Sequence, residues 1–149
     1  MKHFPIYTPE TATTPAGETL AALKQKLGFA PNVFAVMGGN PPVLAGFLSL
    51  NQNFAETSLS ATEREIVQIA VSVENNGAYC VAGHTSFARK QNVADDIVKA
   101  VRSRGTIDDP KLAALHNFAA ASRSRVAISR RAMSKRFSPP ATPAPRCRR

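Results

Sequence analysis

Cys80 and His84 stand four residues apart in Ala78-Tyr79-Cys80-Val81-Ala82-Gly83-His84, directly after the turn-forming run Asn75-Asn76-Gly77. If a helix begins there, the two side chains share one face. Asn76 then reads as its cap. Cys80 falls in or just past the first turn, where unpaired N–H groups and the positive end of the helix dipole favour a thiolate. An imidazole one turn on can accept the thiol proton, the usual way of activating a sulfur nucleophile. Glu65 lies on the preceding segment. A tight Asn-Gly turn makes the two helices antiparallel neighbours, and the packing angle decides whether Glu65 reaches His84. The plainer readings are a Cys80 that serves as a small hydrophobe, a His84 satisfied within a core, and a Glu65 solvated in the first turn of its helix.

Other chemistries have less to stand on. Cys80 and His84 could supply two zinc ligands, but His3 and His116 are remote in sequence, and no metal or cofactor is expected. Cys147 is the only other thiol. Two cysteines cannot build a disulfide framework, so the expected compartment is the reducing cytoplasm. Tyr79 reads either as a substrate contact or proton donor, or as an aromatic packing on the neighbouring helix. Phe29, Phe34, Phe47, Phe54, Phe87 and Phe118 read as core, or as the lining of an apolar pocket.

The elements that must position these residues are helical throughout. Thr14-Pro15 opens a first helix with Leu20, Leu23 and Leu27 on one face, and Gly28 closes it. Pro31-Asn32-Val33-Phe34 begins a short apolar element. Asn40-Pro41 caps a second long helix carrying Val43, Leu44, Phe47, Leu48 and Phe54. Ser60-Ala61-Thr62-Glu63 is a capping box for a third, with Ile66, Ile69, Ala70 and Val73 as its buried stripe. The Cys80–His84 helix follows. Asn92 with Asp95 three residues on marks a further start, before Ile97, Val98 and Val101. Asp109-Pro110 caps the last, with Leu112, Leu115 and Phe118. No alternating strand of useful length occurs, which predicts an all-α domain of about six helices over residues 1–122.

The 149-residue length suits one domain and one core, and 44% hydrophobic residues exclude a wholly disordered chain. The longest apolar run, Ile66 to Val73, is far short of a membrane span and carries Gln68 and Ser72. No long apolar segment follows the N-terminal Met1-Lys2-His3-Phe4-Pro5, so no secretory signal is expected. The net charge of +9 is misleading as an average. All ten acidic residues lie before Arg123, balanced there by ten basic ones, so the whole excess belongs to residues 123–149. That stretch is basic, proline-rich and free of acids, and reads as a disordered tail. Charge balance and helical periodicity are lost at the same point, which suggests a tail read in a shifted frame. The functional alternative is a basic arm for nucleic acid.

Taken together, Pro31-Asn32-Val33-Phe34, the Asn-Pro-Pro break, Leu59-Ser-Ala-Thr-Glu-Arg64-Glu65-Ile66-Val67 and Tyr79-Cys80-Val81-Ala82-Gly83-His84-Thr85 resemble the carboxymuconolactone decarboxylase family, and within it the alkylhydroperoxidase D-like branch. The likeness runs from about Gly28 to about Ala121. It implies an alkylhydroperoxidase D-like helical domain and thiol-dependent reduction of hydroperoxides through Cys80, with His84 and Glu65 as a proton relay and a thiol as electron donor. It also implies a homo-oligomer, a trimer or a multiple of trimers. One position departs from the pattern. The family's resolving cysteine falls at residue 77, which is Gly77 here. A sulfenic acid on Cys80 then requires an outside thiol or over-oxidises, with Cys147 as a conceivable substitute. Two alternatives remain: a carboxymuconolactone decarboxylase-like lyase using His84 as acid/base on a small organic substrate, and a non-catalytic member of the family.

Overall fold

The structure, a computed structural model, describes residues 4–122. The expectations for residues 123–149, including Cys147, and for His3 lie outside the described residues. Among the described residues there are seven helices and no strand: α1 (Ala16–Leu27), α2 (Asn32–Met37), α3 (Pro41–Ala55), α4 (Ala61–Glu74), α5 (Ala78–Lys90), α6 (Asp95–Ser103) and α7 (residues 110–122). The all-α expectation is met.

Most helix ends follow from single residues. Gly28 closes α1 at φ 85°, a left-handed conformation that a side chain would strain. Asn40 accepts from the Val43 N–H at the start of α3. At α4 the capping box is complete: the Ser60 hydroxyl accepts from the Glu63 N–H, and the Glu63 carboxylate accepts from the Ser60 N–H at 2.7 Å. Asp109 accepts from the Leu112 N–H at 2.9 Å and so caps α7. Three starts differ from the sequence reading. Pro15, not Thr14, is the N-cap of α1. Asn76 does not cap α5: at φ 54° it turns the chain, and Gly77 is the N-cap. Asn92 (φ 57°) similarly turns the chain after α5, and α6 starts at Asp95 behind Ala94. Asparagine tolerates the left-handed region well, so these two residues make the turn itself and do not cap the next helix.

The chain falls into two compact units, the first ending at Ser58 and the second beginning at Leu59. In the first, Ala16, Leu20 and Leu44 form a buried cluster, with Tyr7, Leu23, Phe34, Met37 and Leu48 packed against it. In the second, the predicted α4 stripe of Ile66, Ile69, Ala70 and Val73 packs with Ala88 of α5, Val98 and Val101 of α6 and Ala119 of α7. Two of the phenylalanines read as core are exposed: Phe29 at 52% and Phe118 at 73%. On α7 Leu112 and Leu115 pack against this cluster as predicted, the most buried positions are His116 and Ala119, and of the three predicted residues Phe118 alone falls off the inward face. No helix among the described residues is long and apolar enough to cross a membrane.

Candidate active site

The site is built by the α4–α5 pair, joined through Asn75-Asn76-Gly77 and packed along its length. Counting outward from the turn, Glu65 on α4 comes level with Phe87 on α5. His84 then lies just under one turn to one side of it and Gln91 about one turn to the other.

Glu65 adjoins the buried stripe beside Ile66 and is itself only 5% exposed. A carboxylate in that position is costly unless its oxygens are paired. Both are. Oε2 is 3.1 Å from His84 Nδ1, and Oε1 accepts from Gln91 Nε2 at 2.7 Å. The first-turn carboxylate that is solvated in this helix is therefore not Glu65. Glu63 is not solvated either: it closes the capping box and meets Lys111 Nζ at 2.6 Å. The Lys111 hydrogen bond, followed by those from Ser60, pulls the Glu63 carboxyl down to about 2.

His84 is partly buried, its side chain 25% exposed. The Phe87 ring meets it edge-on, with centroids 6.0 Å apart. A carboxylate only accepts, so in this pair Nδ1 carries the hydrogen, and in the neutral ring Nε2 keeps its lone pair. This nitrogen is the one available as a base or, once protonated, as an acid.

Cys80 is the third residue of α5 and is exposed. Gly77 provides no side-chain cap, and the positive end of the α5 dipole lies beside Cys80. Cys80 sits one helical turn before His84 on the same helix. The hydrogen bond drawn from the imidazole runs to Glu65, and none joins it to the Cys80 sulfur among the described residues. Of the three residues predicted from sequence, the tertiary structure thus brings Glu65 and His84 into contact and leaves Cys80 open to solvent beside them. Tyr79 is 54% exposed. Gln91 is the residue that sequence reasoning missed. Its only signal was its place seven residues after His84, two turns on and on the same face.

His116, weighed as a remote metal ligand, is buried on α7 and lines a separate hollow with Arg104 and Asn117. Burial lowers its pKa, opposed by the Glu74 carboxylate. Among the described residues no group of three His, Cys, Asp or Glu side chains could hold a metal ion.

No curated protein matches the chain. The sequence profile of the carboxymuconolactone decarboxylase family matches residues 41–123, which span α3 through α7 and include Glu65, Cys80 and His84. With that match over more than half of its length, on the helices that carry the Glu65–His84 pair, the chain belongs to the carboxymuconolactone decarboxylase family.

Proposed function

We propose that the protein is a thiol-dependent peroxidase of the alkylhydroperoxidase D-like kind, acting through Cys80. The observation that carries this reading is the Glu65–His84 hydrogen bond, placed one turn along the helix from an exposed first-turn cysteine. In the proposed reaction His84 Nε2 takes the Cys80 proton, directly or through water. The thiolate attacks the terminal oxygen of a hydroperoxide. An S–O bond forms, the O–O bond breaks, and His84 returns the proton to the departing alkoxide. The sulfur is oxidised by two electrons to a sulfenic acid and the peroxide is reduced to an alcohol. Glu65 steadies the imidazolium that forms between the two proton transfers.

Because residue 77 is glycine, the sulfenic acid has no neighbouring thiol among the described residues. In this reading an external thiol condenses with it, releasing water and leaving a mixed disulfide. A second donor thiol then attacks the donor sulfur of the mixed disulfide, so that Cys80 leaves as a thiol and the two donor sulfurs are joined as a disulfide. The exposure of Cys80 supports an approach by such a donor. We also propose a homo-oligomer, supported by Tyr79 and Phe118, two large apolar side chains that are more than half exposed in the second unit.

The test is hydroperoxide consumption with monothiol and dithiol donors, alongside mass spectrometry of Cys80. Turnover that Cys80→Ser abolishes, with a sulfenic acid or mixed disulfide trapped on Cys80, is the expected result. Absence of both in the wild type overturns the reading. One observation favours a second reading, a lyase acting on a small cyclic carboxylate: the Gln91–Glu65–His84 chain is complete without sulfur. A lyase would keep its activity in Cys80→Ser.

A further inference from the structure

Gln91 ends α5, and its backbone N–H bonds back to Phe87 and Ala88 as expected of a C-terminal residue. Its side chain does something the helix does not require. It reaches across to α4 and donates to Glu65 Oε1 at 2.7 Å. The same Nε2 lies 3.3 Å from the Phe87 carbonyl. Both neighbours are acceptors, so the NH₂ end of the amide must face them, and the amide cannot be flipped without losing both bonds.

We propose that Gln91 is the positioning residue of this site: by holding Glu65 Oε1 it aims Oε2 at His84 Nδ1 and thereby fixes which imidazole nitrogen is free to move a proton. A glutamate side chain has three rotatable bonds, and one hydrogen bond to an imidazole leaves the carboxylate free to swing about it. A second donor on the opposite oxygen, anchored to the end of α5, removes that freedom. The consequence passes through Glu65 to the ring. While Oε2 is held in place, the hydrogen stays on Nδ1 and Nε2 remains the basic nitrogen. When it is not, the neutral ring is free to place its hydrogen on Nε2, and the group that should accept a proton already carries one. Gln91 touches no reacting atom in this scheme and acts only through Glu65.

The inference deepens the proposed function and rests on it only for its kinetic consequence. The decisive readout is the ¹⁵N spectrum of the His84 ring in the full-length protein, which distinguishes the two neutral tautomers. The wild type is expected to show hydrogen on Nδ1. Gln91→Leu, which keeps the bulk and removes the donor, is expected to lose that signature in favour of hydrogen on Nε2. Gln91→Glu, which places an acceptor against an acceptor, is expected to do the same. In the peroxidase assay both variants should lose turnover by roughly 10- to 100-fold with little change in KM. A residue that merely ends the helix would alter thermal stability and leave the tautomer in place. An unchanged His84 signature in the two folded variants overturns the proposal. A wild type without peroxidase activity overturns the functional reading alone, since the tautomer is read without any substrate.

Discussion

His84 Nδ1 and Glu65 Oε2 meet at 3.1 Å across the α4–α5 interface, nineteen residues apart in the chain. The carboxylate is nearly sealed while the imidazole keeps a quarter of its surface in solvent. The buried member is thus the fixed one, and the exposed member faces the chemistry. Glu65→Gln preserves the shape but gives the ring a neutral partner. Turnover is expected to fall by about 100-fold, within the range for loss of general acid–base assistance, with the fold retained by circular dichroism. Wild-type kcat in that variant would remove Glu65 from the mechanism.

Gly77 stands where a partner for Cys80 would fit. A Cβ built on Gly77 comes 3.9 Å from the Cys80 Cβ, inside the span of a disulfide, and 3.4 Å from the Ser72 carbonyl, an ordinary contact. The Gly77 φ of −83° suits any residue. Gly77→Cys is therefore expected to fold, to lose both of these thiols to titration after mild oxidation, and to gain two hydrogens on reduction by mass. If the functional reading holds, it should also protect Cys80 from over-oxidation by excess peroxide. Persistent free thiols at both positions under oxidant would show that the two sulfurs do not meet.

Glu63 makes acid sensitivity calculable in sign. Its folded pKa is about 2, lowered from the ordinary 4.5 by Lys111 and Ser60. A carboxyl lowered in the folded state contributes stability that is present above pH 4.5 and is lost as pH falls toward 2. Lys111→Met is expected to flatten the dependence of the urea midpoint on pH across that window. The Lys111 side chain is 81% exposed, so salt should weaken the effect in the wild type. An identical pH slope in wild type and variant would contradict the assignment.

Ile69 and Phe118 look alike to a periodicity argument and differ in the structure. Ile69 is 1% exposed within the α4–α7 core, and Phe118 is 73% exposed. Ile69→Ala is expected to cost about 2–5 kcal/mol in chemical denaturation, the usual range for a large-to-small core change. Phe118→Ser should cost about 0.5 kcal/mol or less in dilute protein, and, if the proposed homo-oligomer forms through this face, should lower the mass measured by sedimentation. Equal destabilisation of dilute protein by both would place Phe118 in the core after all.

The sequence alone carried the helices, because their signals are local. Ser60 with Glu63, Asn40 with Pro41, Asp109 with Pro110, and Gly28 each act within one turn, and the structure keeps all four. It carried Cys80 and His84 as neighbours for the same reason: four residues on one helix are one turn. It placed Glu65 on the preceding helix and, by resemblance to a family pattern, gave it a relay role, but spacing could not bring Glu65 to His84, since that contact depends on how two helices pack. Asn76 and Asn92 were misread because a residue suited to capping is also suited to the left-handed turn before a helix, and only the backbone path decides between them. Gln91 was invisible for a related reason. Its role exists only where the end of α5 lies beside the first turns of α4, and a polar residue at a helix end carries no local mark of the carboxylate it will meet. Hydrogen bonds between helices are made by antiparallel packing, and packing sums contacts over the whole interface, which no short stretch of sequence contains.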